Sequence, residues 1–235
     1  MRVCVKFYNR PYTVRMNQSV HSAAKASRSR RNDPARTMAE ILQVASAEFA
    51  DKGLAGARID AIADATHTSK RMIYYYYGSK EGLYLAVLED AYRRTREIEG
   101  GLHLSDLEPQ EALEKLVAFT YDRHRENEDF IRLVMSENIL RGEYIRQSKD
   151  IKKLNLPVID AIADLYERGV AKGVFRPGLD PVEIHGLISA LAFFNVSNRH
   201  TFGAIFQKKA GQGLAHTISK SQVVEMVLRY VLRNP

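Results

Sequence analysis

Residues 69–80 gather an unusual density of hydrogen-bond donors: Ser69, Lys70, Arg71, four consecutive tyrosines from Tyr74 to Tyr77, and Lys80, with Met72 as an apolar contact among them. Arginine and lysine donate to phosphate oxygens or to the acceptor atoms of guanine. A phenol donates to a phosphate oxygen or lies against a sugar or a thymine methyl. The chemistry on offer is recognition of a nucleic acid rather than bond making. The chain has no glycine-rich phosphate loop, no CxxC, no HExxH and no GxSxG. Its seven histidines are scattered, and only His124 and His185 fall near apolar faces, where a hydrogen-bonded core role outweighs a metal or catalytic one. The expectation is therefore a protein that is not an enzyme and needs no cofactor.

Those donors need elements to hold them. Ile59, Ile62 and Ala63 recur at helical spacing and give one short helix a buried face. Thr66, His67 and Thr68 break the pattern, and Ser69 is a good N-cap for a second helix. On that helix Ile73 and Tyr77 share one face. Arg71, Met72, Tyr74 and Tyr75 fall on the opposite arc, with Lys70 at its lip and almost no counter-charge. Gly78 stops the helix, and Ser79 caps the next one with Lys80 on its first turn. Two short helices joined by a tight turn, the second cationic and aromatic, form a helix-turn-helix of a size the major groove of B-DNA admits. The alternative is a plain amphipathic helix with a wet side. Behind this pair, Asp33-Pro34 opens an earlier helix, whose stripe is Met38, Ile41, Leu42, Ala45 and Phe49, and Gly53 ends it. A fourth helix runs from Ser79 to about Glu99 with Tyr84, Val87, Leu88, Ala91 and Tyr92 inward. Its length of roughly 30 Å carries it out of a small DNA-binding unit into a second one.

Residues 109–235 read as helical throughout, with no strand alternation, repeat or heptad. A long segment spans 143–172 with Pro157 as a kink or new start, Asp180-Pro181 opens a strongly apolar helix, 208–217 is a loop, and a last helix runs from Ser219 to about Arg233. The two C-terminal helices are apolar over more than one stripe, so they are either central in the monomer or covered by another subunit. The net charge of +7 is uneven: residues 1–36 hold nine cations and one anion, leaving 26 cations and 27 anions elsewhere. The basic arm suits nucleic-acid phosphates, or is simply a solvated tail. Met16 is an alternative start. No stretch of about 20 apolar residues suggests a membrane span, no secretory signal is visible, and the single Cys4 fits a reducing cytoplasm.

From Arg36 to about Leu88 the sequence resembles the N-terminal domain of the TetR family of transcriptional repressors. The resemblance rests on Ile41-Leu42, Ala45, Glu48-Phe49, Gly53, Ile62-Ala63, Ser69-Lys70, the run Ile73 to Tyr77, and Gly78-Ser79-Lys80-Glu81-Gly82-Leu83. It departs from the family at His67, where glycine is usual, at Thr68, where a small apolar residue is usual, and at Ala57, where the family often has threonine. The resemblance implies an all-α fold of about nine helices. A basic arm (1–32) would precede a three-helix DNA-binding domain (33–80) and a C-terminal helical bundle (81–235) for ligand binding and dimerisation. It also implies a cytoplasmic homodimer on a palindromic double-stranded operator, a small-molecule effector that releases it, and no membrane association. The groove-facing group would be Lys70, Arg71, Met72, Tyr74 and Tyr75. Ser69, Tyr76, Lys80 and Arg58 would hold phosphates. A ligand pocket, implied by the family, has Tyr92, Tyr121, His124, Asn138, Phe193 and Asn195 as candidates, for each of which ordinary core outweighs ligand contact. The rival reading is a DNA-associated structural or adaptor protein without an inducer.

Overall fold

The computed structural model describes residues 33–206 and 218–234; the basic arm, Cys4 and the 208–217 loop lie outside these. Among the described residues there are ten α-helices. They are α1 (Pro34–Gly56), α2 (Ile59–Ala65), α3 (Lys70–Tyr77), α4 (Lys80–Gly100), α5 (Pro109–Glu126), α6 (Glu128–Ile139), α7 (Lys149–Ala171), α8 (Pro181–Ser197), α9 (Arg199–Ile205) and α10 (Lys220–Val231). The count exceeds the expected nine through the short α9. The expected segment 143–172 also begins later, because Ser148 accepts the Ile151 N–H and caps α7 there. Pro157 stays inside α7. An isolated antiparallel bridge joins Phe175 to Leu232 and ties down the end of α10.

Local chemistry sets the helix ends. The Asp33 carboxylate accepts the Arg36 N–H at 3.2 Å, so α1 opens on the residue pair that the sequence marks. Gly53 interrupts α1 at φ 67. Ser69 Oγ accepts the Met72 N–H at 3.2 Å, and Ser79 Oγ accepts the Gly82 N–H at 3.0 Å. Between α2 and α3, His67 sits in the left-handed region at φ 51. The Thr68 N–H returns to the Ala63 carbonyl and the His67 N–H to the Asp64 carbonyl, the two bonds of a Schellman ending. A glycine makes that turn with no Cβ penalty; here histidine bears it.

Two cores result. Ile41, Ala45 and Phe49 of α1 meet Ile62, Ile73, and Leu83, Tyr84, Val87 and Leu88 of α4, all buried. The second core joins α5, α7, α8 and α10 through residues such as Leu116, Ile162, Ile188 and Val227. The first core also takes Leu133 of α6 and Ile151 of α7. Arg132 fastens α6 to the end of α1, its Nε donating to the Ala50 carbonyl at 2.7 Å and its Nη2 to the Asp51 carbonyl at 3.1 Å.

Replacing His67 by glycine removes the left-handed penalty of about 1 kcal/mol or more and adds a smaller loss of chain entropy. His67→Gly should raise the melting temperature by roughly 1–2 °C in a calorimetric scan. An equal or lower value would show that the turn is not strained.

Candidate nucleic-acid interface

The helix α3 is held from behind. Ile73 is fully buried, and Tyr77 Oη donates to the Met38 carbonyl at 3.0 Å. Burial, with smaller contributions from Asp90 and Tyr76, pushes the Tyr77 phenol up to about 12, so it stays a donor at any physiological pH. With that face fixed, the opposite arc points outward. Tyr75 is 78 % exposed and Tyr74 43 %, Arg71 and Lys70 are exposed, and Met72 is half-buried.

The electrostatics differ from the expectation of an arc with almost no counter-charge. Asp60, on the first turn of α2, forms an ion pair with Lys70 and stands 3.8 Å from Arg58 Nη2. Both pairs are solvent-exposed and worth little in water, but they hold the two cations over the start of the motif. Among the described residues Arg71 makes no ion pair. Tyr76 is half-buried, with its ring edge-on to Tyr75 at 5.4 Å and to Tyr77 at 6.3 Å. Lys80 donates to the Ala55 carbonyl at 3.2 Å, which links α4 to the end of α1. Ser69 Oγ is engaged with the Met72 N–H, as above. Arg58, not Ala57, is the N-cap of α2, and it lacks a side-chain cap of its own. Glu48 supplies one from α1, its carboxylate accepting the Arg58 N–H at 3.0 Å. Burial works to raise the Glu48 pKa, but Lys52 and the Arg58 N–H and guanidinium outweigh it and lower the value.

Gly82 sets the angle between α3 and α4. A Cβ there would stand 2.1 Å from the Tyr77 carbonyl oxygen, a backbone atom that cannot turn aside. The absent methyl lets the first turn of α4 close on the last residue of α3. Gly78, at φ 75, makes the reversal between them.

The pocket candidates separate. Tyr92, His124 and Phe193 line one cavity of about 510 Å³. Tyr121 is elsewhere: it is buried in the second core, its hydroxyl donating to the Ile218 carbonyl at 3.0 Å. Asn195 is also buried, and its Oδ1 accepts the Ile218 N–H at 2.9 Å. Both anchor the chain entering α10, and their polar ends are used in doing so. Asn138 is exposed and donates to the Val134 carbonyl of its own helix at 3.0 Å. The sequence reading missed Arg96, Lys152 and Ser189 on the cavity wall; His185, noted there as near an apolar face, lines the cavity with them. Charged residues on a long helix read as solvated; only the spacing of Arg96 four residues beyond Tyr92 marked it.

Comparison with known proteins bears on this geometry. A sequence profile of bacterial regulatory proteins of the tetR family matches residues 41–87, which span α2, the turn and α3. A profile of tetracyclin repressor-like C-terminal domains matches residues 109–227. The chain belongs to the TetR family. Its relatives within TetR proteins include the HTH-type transcriptional repressor NicS of Pseudomonas putida, 35 % identical over 169 residues, covering 72 % of this chain and 80 % of that one. The HTH-type transcriptional repressor SCO4008 of Streptomyces coelicolor is 34 % identical over 144 residues, covering 59 % of this chain and 69 % of that one. A crystal structure of the transcriptional regulator SCO4942 from Streptomyces coelicolor superposes with a TM-score of 0.60 at 25 % identity, covering 85 % of this chain and 99 % of that one. As in TetR proteins, the fold is all-α with an N-terminal helix-turn-helix. Among the described residues no helix is long and apolar enough to cross a membrane.

Two variants check the positioning. Glu48 has a folded-state pKa below the ordinary 4.5, so its stabilisation is present above that pH and is lost as pH falls through the lowered value. Glu48→Gln should cost about 1 kcal/mol at neutral pH, the difference between a charged and a neutral acceptor. The gap should close in chemical denaturation below the folded pKa; a gap that persists there would remove the carboxylate from the cap. Gly82→Ala must move α3 away from α4. It should destabilise by about 1–3 kcal/mol and weaken DNA binding in gel shifts even where the protein is fully folded.

Proposed function

We propose that the chain is a homodimeric transcriptional repressor that reads a palindromic operator and leaves it when a small molecule binds the C-terminal helices. The observation that carries the reading is the outward arc of α3. Arg71, Tyr74 and Tyr75 stand free on a helix fixed from behind by Ile73 and the Tyr77–Met38 bond. Such an arc suits direct readout: Arg71 is the guanine-reading candidate, and the tyrosines suit sugars, phosphates and thymine methyls. Lys70, Met72, Ser69 and Arg58 lie around it. Lys80 and Tyr76 already have partners within the protein, so their part is to hold the reading unit as well as to meet phosphates.

In this reading residues 33–80 are the DNA-binding domain and 81–235 the effector and dimerisation domain, working in the cytoplasm. Dimerisation is supported by α8, whose apolar residues are not confined to one face, and by Val182, Met226 and Tyr230, which α8 and α10 leave exposed. A symmetric pair of reading heads matches two half-sites. Effector control is supported by the cavity beside α4, the helix that also enters the DNA-binding core. A ligand acts there only through unequal affinity for two conformations. The repressor sense follows the relatives named above.

The test is selection from a randomised duplex pool at physiological salt, with wild-type protein and Arg71→Ala. Wild type should enrich an inverted repeat. Arg71→Ala should relax preference at one base pair in each half-site, at about 1–3 kcal/mol. Enrichment of no repeat, with binding that collapses steeply as salt rises, would replace this reading with backbone-only contact.

A further inference from the structure

The cavity of about 510 Å³ between α4, α5, α6, α7 and α8 has walls of two kinds. One side is apolar and aromatic: the rings of Tyr92 and Phe130 meet edge to face at 5.2 Å, with Ile151, Ile159 and Phe193 nearby. The other side is basic. Arg96 of α4 has a side chain only 16 % exposed, and Lys152 stands at the exposed rim. His124 of α5 and His185 of α8 join them. No carboxylate lines this cavity among the described residues.

The donors there are incompletely used. Arg96 gives Nη1 to Glu99, one turn further along α4, but its Nε is buried without a hydrogen-bond partner. His124 Nδ1 is likewise buried and unpartnered, with its ring edge-on to Phe193 at 6.3 Å. Burial, then Arg96 and His185, lowers the His124 pKa to about 4. Burial, then Arg96, lowers that of His185 too. Both imidazoles are thus neutral at physiological pH, and each can offer an N–H without adding charge. Orphaned buried donors are uncommon in folded proteins, and a guanidinium is shaped to receive a carboxylate.

We propose that the ligand of this cavity is a small organic anion with a flat apolar body, a planar monocarboxylate, whose carboxylate is received by Arg96 with His124 beside it. The proposal rests on the reading that the C-terminal helices hold an effector, and it names the effector's chemical class. A cation would find no carboxylate in the lining, and a wholly apolar ligand would seal the Arg96 and His124 donors away unpaired. The neighbouring cavity on the other side of Arg96, about 620 Å³, is a weaker candidate for an anion because Glu97, Glu99 and Asp164 line it. Glu99 has a second consequence: it competes with an incoming carboxylate for the same guanidinium.

The experiment is calorimetric titration of the full-length protein with benzoate and 2-naphthoate, each against its neutral amide, without DNA. At least one carboxylate should bind, and about tenfold or more tightly than its amide, the margin of a charge-assisted hydrogen bond. Arg96→Gln should abolish that preference. Glu99→Gln should strengthen carboxylate binding and leave the amide unchanged. If Arg96→Gln does not fold, Glu99→Gln and Arg96→Lys carry the test, the latter retaining charge but losing the fork and weakening carboxylates. Equal binding of acid and amide, indifference to both substitutions, or no heat from either carboxylate would overturn the proposal. A gel shift with operator DNA separates it from the effector reading. Carboxylate binding at Arg96 that leaves DNA bound supports the site and sinks effector release. DNA release by neutral compounds, with no carboxylate bound, does the reverse.

Discussion

A helix some 30 Å long with one buried face must find apolar partners along its whole length, and α4 finds them in two places. Leu83, Tyr84, Val87 and Leu88 belong to the core that positions the reading helix. Further along, Thr95 is buried and Arg96 and Glu99 are largely enclosed against α5 and α8. The rest of the architecture follows from this division. The helices before α4 can be short, because α4 supplies the surface on which they close. The helices after it must wrap its far end. A rigid element shared by two cores is also the simplest mechanical link between them: displacement at one end is felt at the other, since close-packed interiors do not deform continuously.

The reading unit is rigid for a complementary reason. The eight residues of α3 are too few to be stable alone. The helix persists because Ser69 caps it, Ile73 and Tyr77 bury its back, and Gly82 lets α4 close on its end. Most of the polar groups nearby serve this scaffold. Ser69 Oγ, Lys80 Nζ and the Tyr77 hydroxyl are all engaged within the protein. Exposed on α3 are Arg71, Tyr74 and Tyr75, the arc proposed to face DNA, with Lys70 and Arg58 beside Asp60. Asp60 pairs with Lys70 and stands near Arg58 but makes no ion pair with Arg71 among the described residues.

Local chemistry was legible from sequence, and through-space chemistry was not. The caps at Ser69 and Ser79, the reversal at Gly78 and the left-handed turn at His67 depend on a few adjacent residues, and each stands where its residue type implies. The Asp60–Lys70 pair, the Glu48 cap on α2 and the Lys80–Ala55 bond join residues ten or more apart, and no periodicity announces them. The pocket residues divide the same way. Polar groups on apolar helix faces are ambiguous because such a group either meets a ligand or meets distant backbone. Tyr121 and Asn195 both bond to Ile218, well removed in sequence, whereas His124 keeps a nitrogen unpartnered. Arg96 was not singled out because charged side chains are almost never fully buried unless paired.

The burial of Arg96 ties these observations together. A guanidinium sequestered on a helix interior is tolerable only if its donors are paired, and Glu99 pairs it incompletely. Burial raises the Glu99 pKa, and Arg96 only partly offsets that, so the pair holds a carboxylate that the interior resists. An anion entering the neighbouring cavity changes the balance of charge on the same turn of α4 that leads back to Leu88 and the reading head. Its binding energy then enters the molecule on the element that both cores share, not on a wall that could relax independently. To shift an operator-bound population, such a ligand need only favour the arrangement of α4 in which Arg96 turns from Glu99 toward the cavity. A preference of about 1.4 kcal/mol moves the ratio of two conformations tenfold, and one charge-assisted pairing supplies about 1.5–3 kcal/mol.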